Sequence, residues 1–132
     1  PEVHQMMVRN RATKLAKVAD CIPELEVYGE SQADVLLVGW GGTYGHLYTA
    51  AVQLREEGYK LGFAHFDYIN PLPKNTAEVL GRYKKILVCE LNSGQFADYL
   101  RAKLPQYKYL QLNKVQGQPF MVHEIVDAVK AL

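Results

Sequence analysis

The sequence has little of what marks several large classes of protein. Two cysteines occur in 132 residues, Cys21 and Cys89, and neither belongs to a Cys-x-x-Cys pair. Because an iron–sulfur cluster usually takes four cysteine thiolates, this chain cannot hold one by itself. Reduced thiols in a cytoplasmic protein are the simplest interpretation. No apolar run approaches the roughly 20 residues of a membrane helix, and no secretory signal pattern is present.

An excess of charge of one sign is also missing. The 15 basic and 14 acidic side chains give a formal net charge of +1, whereas a nucleic-acid-binding domain usually carries a strong basic excess on one face. One basic cluster occurs near the start of the chain, at Arg9, Arg11, Lys14 and Lys17. A solvated helix face is the favoured explanation for it. The sequence therefore predicts neither a nucleic-acid nor a membrane partner.

The four histidines, His4, His46, His65 and His123, lack metal-binding spacing, since no His-x-x-x-His pair and no neighbouring cysteine occurs. We expect a packing or surface role for each. His46 is the most interesting, because it falls in the first turn of a predicted helix beside a glycine-rich stretch. No Ser-His-Asp or Cys-His arrangement with recognisable local sequence appears.

The composition that remains is typical of one globular domain, with 48% hydrophobic and 22% charged residues. Short apolar runs alternate with amphipathic segments. Strands are predicted at 25–28, 35–38, 61–66, 86–89 and 107–112, and helices at 8–22, 47–54, 75–83, 93–104 and 122–129. Such alternation predicts a mostly parallel sheet between two helical layers, a three-layer α/β/α domain of four or five strands. Gly58 is expected to end the second helix, and Asn75 and Ser93 are expected to cap the two that follow.

Ligands of open α/β sheets bind beyond the carboxyl ends of the strands. The polar residues and glycines predicted to meet there form the candidate strand-end cleft or interface: Gly41, Gly42, Thr43, His46, Asp67, Asn70, Glu90, Asn92 and Gln95. Glu90 follows an apolar strand, where it could act as a base or cap the next helix, and its polar neighbours favour the cap.

The glycine-rich loop after the second strand has two interpretations. A strand-to-helix loop offers backbone N–H groups to an anion, and Asp67 ends the following strand as a ribose-binding acid would. However, Gly39, Gly41 and Gly45 are spaced G-x-G-x-x-x-G, one residue longer than the dinucleotide fingerprint, and no Gly-Lys-Ser/Thr ending marks a P-loop. A tight turn that lets helix and sheet pack closely is favoured over nucleotide binding.

Several motifs taken together resemble one family. The stretch ADVLLVGWGGTYG at residues 33–45 resembles the AD-x-LLVGWGST-x-G segment of the α subunits of 2-oxoacid:ferredoxin oxidoreductases, and the 2-oxoglutarate type is the most similar. The PLP at 71–73, VCELNSGQF at 88–96 and QGQPF at 116–120 fit the same family in order and spacing. The basic first helix resembles the linker that precedes this domain.

The resemblance implies a fold like the transketolase C-terminal domain, with a five-stranded sheet in which the 25–28 strand is antiparallel. It divides the chain into a linker helix at 1–24, packed on the domain, and the domain itself at 25–132. It implies a parent enzyme that converts a 2-oxoacid to an acyl-CoA and reduces ferredoxin, with thiamine diphosphate and iron–sulfur clusters as cofactors and coenzyme A as co-substrate. The implied partners are the N-terminal domain of the same subunit, the β subunit and, through the full complex, ferredoxin.

The resemblance carries no catalytic residue onto this chain, so we expect a non-catalytic assembly domain that binds no cofactor and is inactive by itself. Because the chain begins at Pro1 and enters a helical pattern almost at once, we also expect a piece of a longer polypeptide. Two alternatives stay open: a regulatory domain that binds a small anion or nucleotide at Gly41-Gly42-Thr43, and an independent enzyme of Rossmann type.

Overall fold

The computed structural model describes residues 17–115 and 117–132. Residues 17–21 are helical, as predicted for the end of the first helix. The rest of that helix, most of the basic cluster and Gln116 lie outside the described residues. None of the helices within the described ranges has both the length and the apolar character needed to cross a bilayer.

Five strands and four helices follow, and each strand after the first is followed by a helix. The strands are β1 (Tyr28–Gly29), β2 (Ala33–Trp40), β3 (Leu61–Phe66), β4 (Tyr83–Glu90) and β5 (Tyr109–Asn113), and the helices are α1 (Tyr44–Glu56), α2 (Thr76–Leu80), α3 (Gln95–Lys103) and α4 (Val122–Lys130). A 3-10 turn at Gly41–Thr43 joins β2 to α1. The sheet order is β1-β3-β2-β4-β5, and only the β1–β3 pairing among these strands is antiparallel. The predicted five-stranded mixed sheet is confirmed.

The period-two alternation of β2 separates two cores. Leu36 and Val38 lie in the core beneath α2 and α3, while Leu37 lies in the core beneath α1 and α4. All three side chains are fully buried. A strand buried on both faces needs this continuous apolar run, and the predicted α/β/α layering is confirmed.

The edge strand β1 is shorter and later than the predicted strand at 25–28. The Asn75 side chain accepts a hydrogen bond from the Leu25 N–H at 2.7 Å and donates one to the Leu25 carbonyl at 2.9 Å. These bonds fasten the segment to the start of α2 instead of to the sheet. Asn75 is the N-cap residue of α2, as predicted, but its side chain makes no cap hydrogen bond because it is bonded to Leu25.

Other helix and strand boundaries also differ from the predicted ones. Tyr83, predicted on a helix, is the first residue of β4, and its hydroxyl donates to the Glu30 carbonyl. Tyr107, predicted to begin the last strand, precedes β5 and donates its hydroxyl to the Ala77 carbonyl at 2.8 Å. Gly58 follows the last turn of α1 with φ +95°, as predicted for a helix end.

Candidate functional site at the carboxyl ends of the strands

Glu90 is the last residue of β4 and its side chain is completely buried. Its Oε1 atom accepts hydrogen bonds from the Phe96 N–H at 2.6 Å and the Trp40 indole N–H at 3.1 Å. Its Oε2 atom accepts the Ala97 N–H at 3.0 Å. A carboxylate here satisfies the free N–H groups of the first turn of α3 and complements the helix dipole. The capping interpretation of Glu90 is thus the one the geometry supports.

Asn92 completes the start of α3. Its side-chain oxygen accepts the N–H groups of Gly94 at 2.8 Å and Gln95 at 3.0 Å. The prediction that Ser93 caps this helix is wrong, because Gly94 is the N-cap residue. Gly94 has φ +103°, and a Cβ atom there would lie 2.0 Å from the Gln111 side-chain nitrogen. Only glycine combines that conformation with that close approach.

The glycine-rich loop is a tight turn, as favoured above. Gly41 has φ +64°, and Thr43 is buried with its hydroxyl donated to the Trp40 carbonyl at 3.0 Å. Gly39 has no room for a side chain, since a Cβ atom would lie 2.1 Å from a methyl carbon of Leu47 in α1. Gly42 is exposed, with no atom within 4 Å of such a Cβ position. The loop therefore packs on one side and is open on the other.

A second polar network joins this loop to β3. The His65 Nε2 atom lies 3.0 Å from the Gly41 carbonyl oxygen, and its Nδ1 atom lies 3.3 Å from a carboxylate oxygen of Asp67. His65 is largely buried, with 10% of its side chain exposed, whereas Asp67 is 79% exposed. Asp67 thus lies next to the glycine loop, as predicted, but it contacts His65, which we had assigned only a packing or surface role. The signal was available: residues i and i+2 of a strand lie on the same face.

An aromatic cluster covers His65. Tyr44 meets it edge-on at 5.2 Å between ring centroids and stacks on Tyr48 at 5.9 Å. Tyr28 of β1 lies 4.9 Å from Tyr48. These rings and the extended segment before β1 border a groove of about 560 Å³, which we call the aromatic groove. Local sequence patterns do not predict this groove, because its two walls come from parts of the chain about 20 residues apart.

Two candidate residues, His46 and Asn70, belong neither to the hydrogen bonds around Glu90 nor to those around His65. His46 is half-buried in the first turn of α1. Asn70 forms a cis peptide bond with Pro71 and lies beside α3 residues Tyr99 and Lys103. The predicted strand-end set is therefore brought together only in part.

The titratable groups at this end of the sheet are engaged in packing and ion pairs. Burial raises the pKa of the Cys89 thiol, which lies wholly in the core beneath α1 and α4. The hydrogen bond from Lys114 lowers the pKa of Glu124, helped by the Met121 N–H. Within residues 17–115 and 117–132 no three His, Cys, Asp or Glu side chains are grouped to hold a metal ion.

The buried polar side chains at this edge are already engaged within the domain. Of the described residues at this edge, the buried carboxylate of Glu90 already accepts three N–H groups, and the Thr43 hydroxyl turns inward. Cys89 is buried in the core and Cys21 is exposed, so they do not form a cluster site.

Comparison with known proteins identifies the family. Residues 33–125 match the family model of pyruvate:ferredoxin oxidoreductase core domain II. The chain belongs to this family. It is 40% identical to the 2-oxoglutarate oxidoreductase subunit KorA of Mycobacterium tuberculosis, over 99% of this chain and 20% of KorA. The chain thus spans about a fifth of the length of that curated relative.

The solved structures agree. The 2-oxoglutarate:ferredoxin oxidoreductase of Magnetococcus marinus, with 2-oxoglutarate, coenzyme A and succinyl-CoA bound, matches at a TM-score of 0.91 and 32% identity over 99% of this chain and 23% of that chain. A split-gene transketolase, in an inactive β4 tetramer, matches at a TM-score of 0.59 and 18% identity over 82% of this chain and 40% of that chain, which shows the shared fold alone. The predicted family and the transketolase-like fold are confirmed.

Proposed function

We propose that this core domain II is a non-catalytic assembly domain in the α subunit of a 2-oxoacid:ferredoxin oxidoreductase. One observation carries the proposal. Both oxygens of Glu90, the buried carboxylate at the strand ends, already accept hydrogen bonds from the start of α3 and from the Trp40 indole. A general base must reach a proton of the substrate. A carboxylate that already accepts three N–H groups inside the protein is instead a structural element.

The parent enzyme is proposed to act on 2-oxoglutarate, because KorA and the Magnetococcus marinus protein carry that substrate in their names. It would form succinyl-CoA and reduce ferredoxin, using thiamine diphosphate and iron–sulfur clusters held outside this domain. The first partner is the N-terminal domain of the same subunit. The β subunit is the second, and ferredoxin is reached only through the complex.

The interface is proposed to lie at the carboxyl ends of the strands. The exposed or half-exposed members of the candidate set are available for contact: Gly41, Gly42, His46, Asp67, Asn70, Asn92 and Gln95. Thr43 and Glu90 are buried and support this edge from within. Residues 1–24 are proposed to be the linker that joins the domain to the rest of the subunit. The described part of the linker contacts the domain through an ion pair between Asp20 and Lys74.

Calorimetry tests whether the chain by itself binds the cofactor or the substrate of the parent enzyme. Titration with thiamine diphosphate and Mg²⁺, and separately with 2-oxoglutarate, is expected to give no binding heat at micromolar concentrations. Binding of either with micromolar affinity would overturn the proposal.

Deletion in the parent enzyme tests the assembly role. An α subunit that lacks this domain is expected to fail to form the complex with the β subunit in size-exclusion chromatography. A normal complex formed without the domain would contradict that role.

A further inference from the structure

The aromatic groove combines exposed rings with acidic residues. Its floor is Phe63 and His65 of β3, and exposed tyrosines rise at its sides, with Tyr44 52% and Tyr68 47% exposed. Its volume of about 560 Å³ is within the range of sites that bind ligands or side chains of a partner, about 300–1,000 Å³.

The charge of the groove is of one sign. Glu24, Glu26 and Asp67 are exposed and line it, and the described lining includes neither lysine nor arginine. An acidic rim around electron-rich ring faces attracts a cation both by charge and by cation–π contact. A guanidinium group suits such a site better than an ammonium, because it is planar, weakly hydrated and stacks on aromatic rings.

One ring of the groove, Tyr28, already makes a cation–π contact with an arginine of this chain. The Arg55 guanidinium lies over the Tyr28 ring at 5.2 Å from its centroid, with Glu30 3.7 Å away. Tyr44 and Asp67 both line the groove, so a tyrosine ring and a carboxylate are present there as well.

Two glycines, Gly42 and Gly45, lie close to Tyr44 in the sequence. Gly42 and Gly45 are both exposed and neither has a positive φ. No described atom lies within 4 Å of a Cβ position at either. Neither backbone conformation nor packing within the described residues requires glycine at these two positions.

We propose that the aromatic groove binds an arginine-bearing polypeptide segment from outside this chain, in the assembled oxidoreductase. The guanidinium contacts the tyrosine rings of the groove and pairs with the carboxylates on its rim, Glu24, Glu26 and Asp67. This inference rests on the assembly role proposed above and names the chemistry of the partner.

Photo-crosslinking in the assembled oxidoreductase tests it. p-Benzoylphenylalanine is placed at position 44 of the full α subunit, co-expressed with its partner subunits, irradiated and analysed by mass spectrometry. Position 59 is the control, since Tyr59 is 43% exposed and lies beside Lys130, away from the groove. The expected product at position 44 is a peptide from outside this chain that carries arginine within a few residues of the cross-link. A peptide without arginine, a peptide from a second copy of residues 17–132, or no cross-link at all overturns the proposal.

Charge-neutral variants supply a second readout. Glu24→Gln/Glu26→Gln/Asp67→Asn is expected to lower the position-44 cross-link yield about three- to tenfold at low salt, and the difference is expected to shrink at 1 M salt. Asp34→Asn/Glu56→Gln/Asp127→Asn neutralises three exposed carboxylates elsewhere and is the matched control, expected to leave the yield unchanged.

Equal yields from the triple variant and from the matched control overturn the inference. The assembly role is judged separately, by whether the complex forms when the whole domain is deleted. A complex that needs the domain but ignores the groove variants would therefore refute only the arginine site.

Discussion

Replacing Glu90 by glutamine keeps the shape of the side chain and exchanges one acceptor oxygen for a donor NH₂ group. In the native domain the two oxygens accept from Phe96 at 2.6 Å, Ala97 at 3.0 Å and Trp40 at 3.1 Å. An amide oxygen can keep part of this set, but the NH₂ group then faces at least one N–H donor. That donor stays buried without an acceptor.

The magnitude follows from the burial of the site. A buried donor left unsatisfied costs about 1–3 kcal/mol, and a hydrogen bond to a charged group contributes about 1.5–3 kcal/mol. Relief from burying a charge offsets part of this cost. We therefore expect Glu90→Gln to lower the free energy of unfolding by about 2–3 kcal/mol. With an m-value of about 2 kcal/mol/M, the urea midpoint falls by about 1–1.5 M.

Urea unfolding followed by the fluorescence of Trp40, the single tryptophan, measures this change. Glu56→Gln is the control, because Glu56 is exposed at the end of α1 and its loss is expected to stay within 0.5 kcal/mol. A Glu90→Gln variant as stable as the control would show that Glu90 does not hold α3 to the sheet.

Three further predictions concern stability and use the same urea assay. Gly94→Ala is expected to cost about 1–3 kcal/mol, since it combines φ +103° with a Cβ atom 2.0 Å from Gln111; wild-type stability would contradict this. Asn75→Ala is expected to cost about 1–3 kcal/mol, because it leaves the Leu25 N–H and carbonyl without partners; a loss under 0.5 kcal/mol would contradict it. Burial raises the pKa of Cys89 above its ordinary value of about 9, so the unfolded thiol ionises first as the pH rises. Stability is therefore expected to fall by up to about 1.4 kcal/mol per pH unit between pH 9 and 10, and Cys89→Ala should show a flatter slope; equal slopes would contradict the prediction.

The layers and the sheet could be predicted from sequence because local patterns determine them. The run 35–38 is typical of a strand covered on both faces, and each helix that follows a strand has one apolar stripe. The boundaries were less predictable where a tertiary contact decides them. Leu25 has the residue type of a strand, but the Asn75 side chain, 50 positions away, occupies its backbone groups.

In the candidate site, too, the features set by local sequence were predictable and those set by tertiary contacts were not. Glu90 could be assigned to a cap because it ends a strand one short loop before a helix. His65 was predictable in part, since period-two alternation places it on the face of Asp67 and α1. The aromatic groove was not predictable, because Tyr28 and Tyr44 meet only after β1 pairs with β3.

Turnover per assembled complex tests whether the strand-end residues of this domain take part in catalysis. An α subunit that carries Asp67→Asn, His46→Gln and Glu90→Gln is purified with its partner subunits, and only the assembled fraction is assayed for 2-oxoglutarate-dependent reduction of ferredoxin. The assembly account predicts a smaller yield of complex but a kcat within about twofold of wild type. Removal of a general acid or base typically costs about 10²–10⁴-fold, so a hundredfold loss of kcat in an intact complex would contradict it.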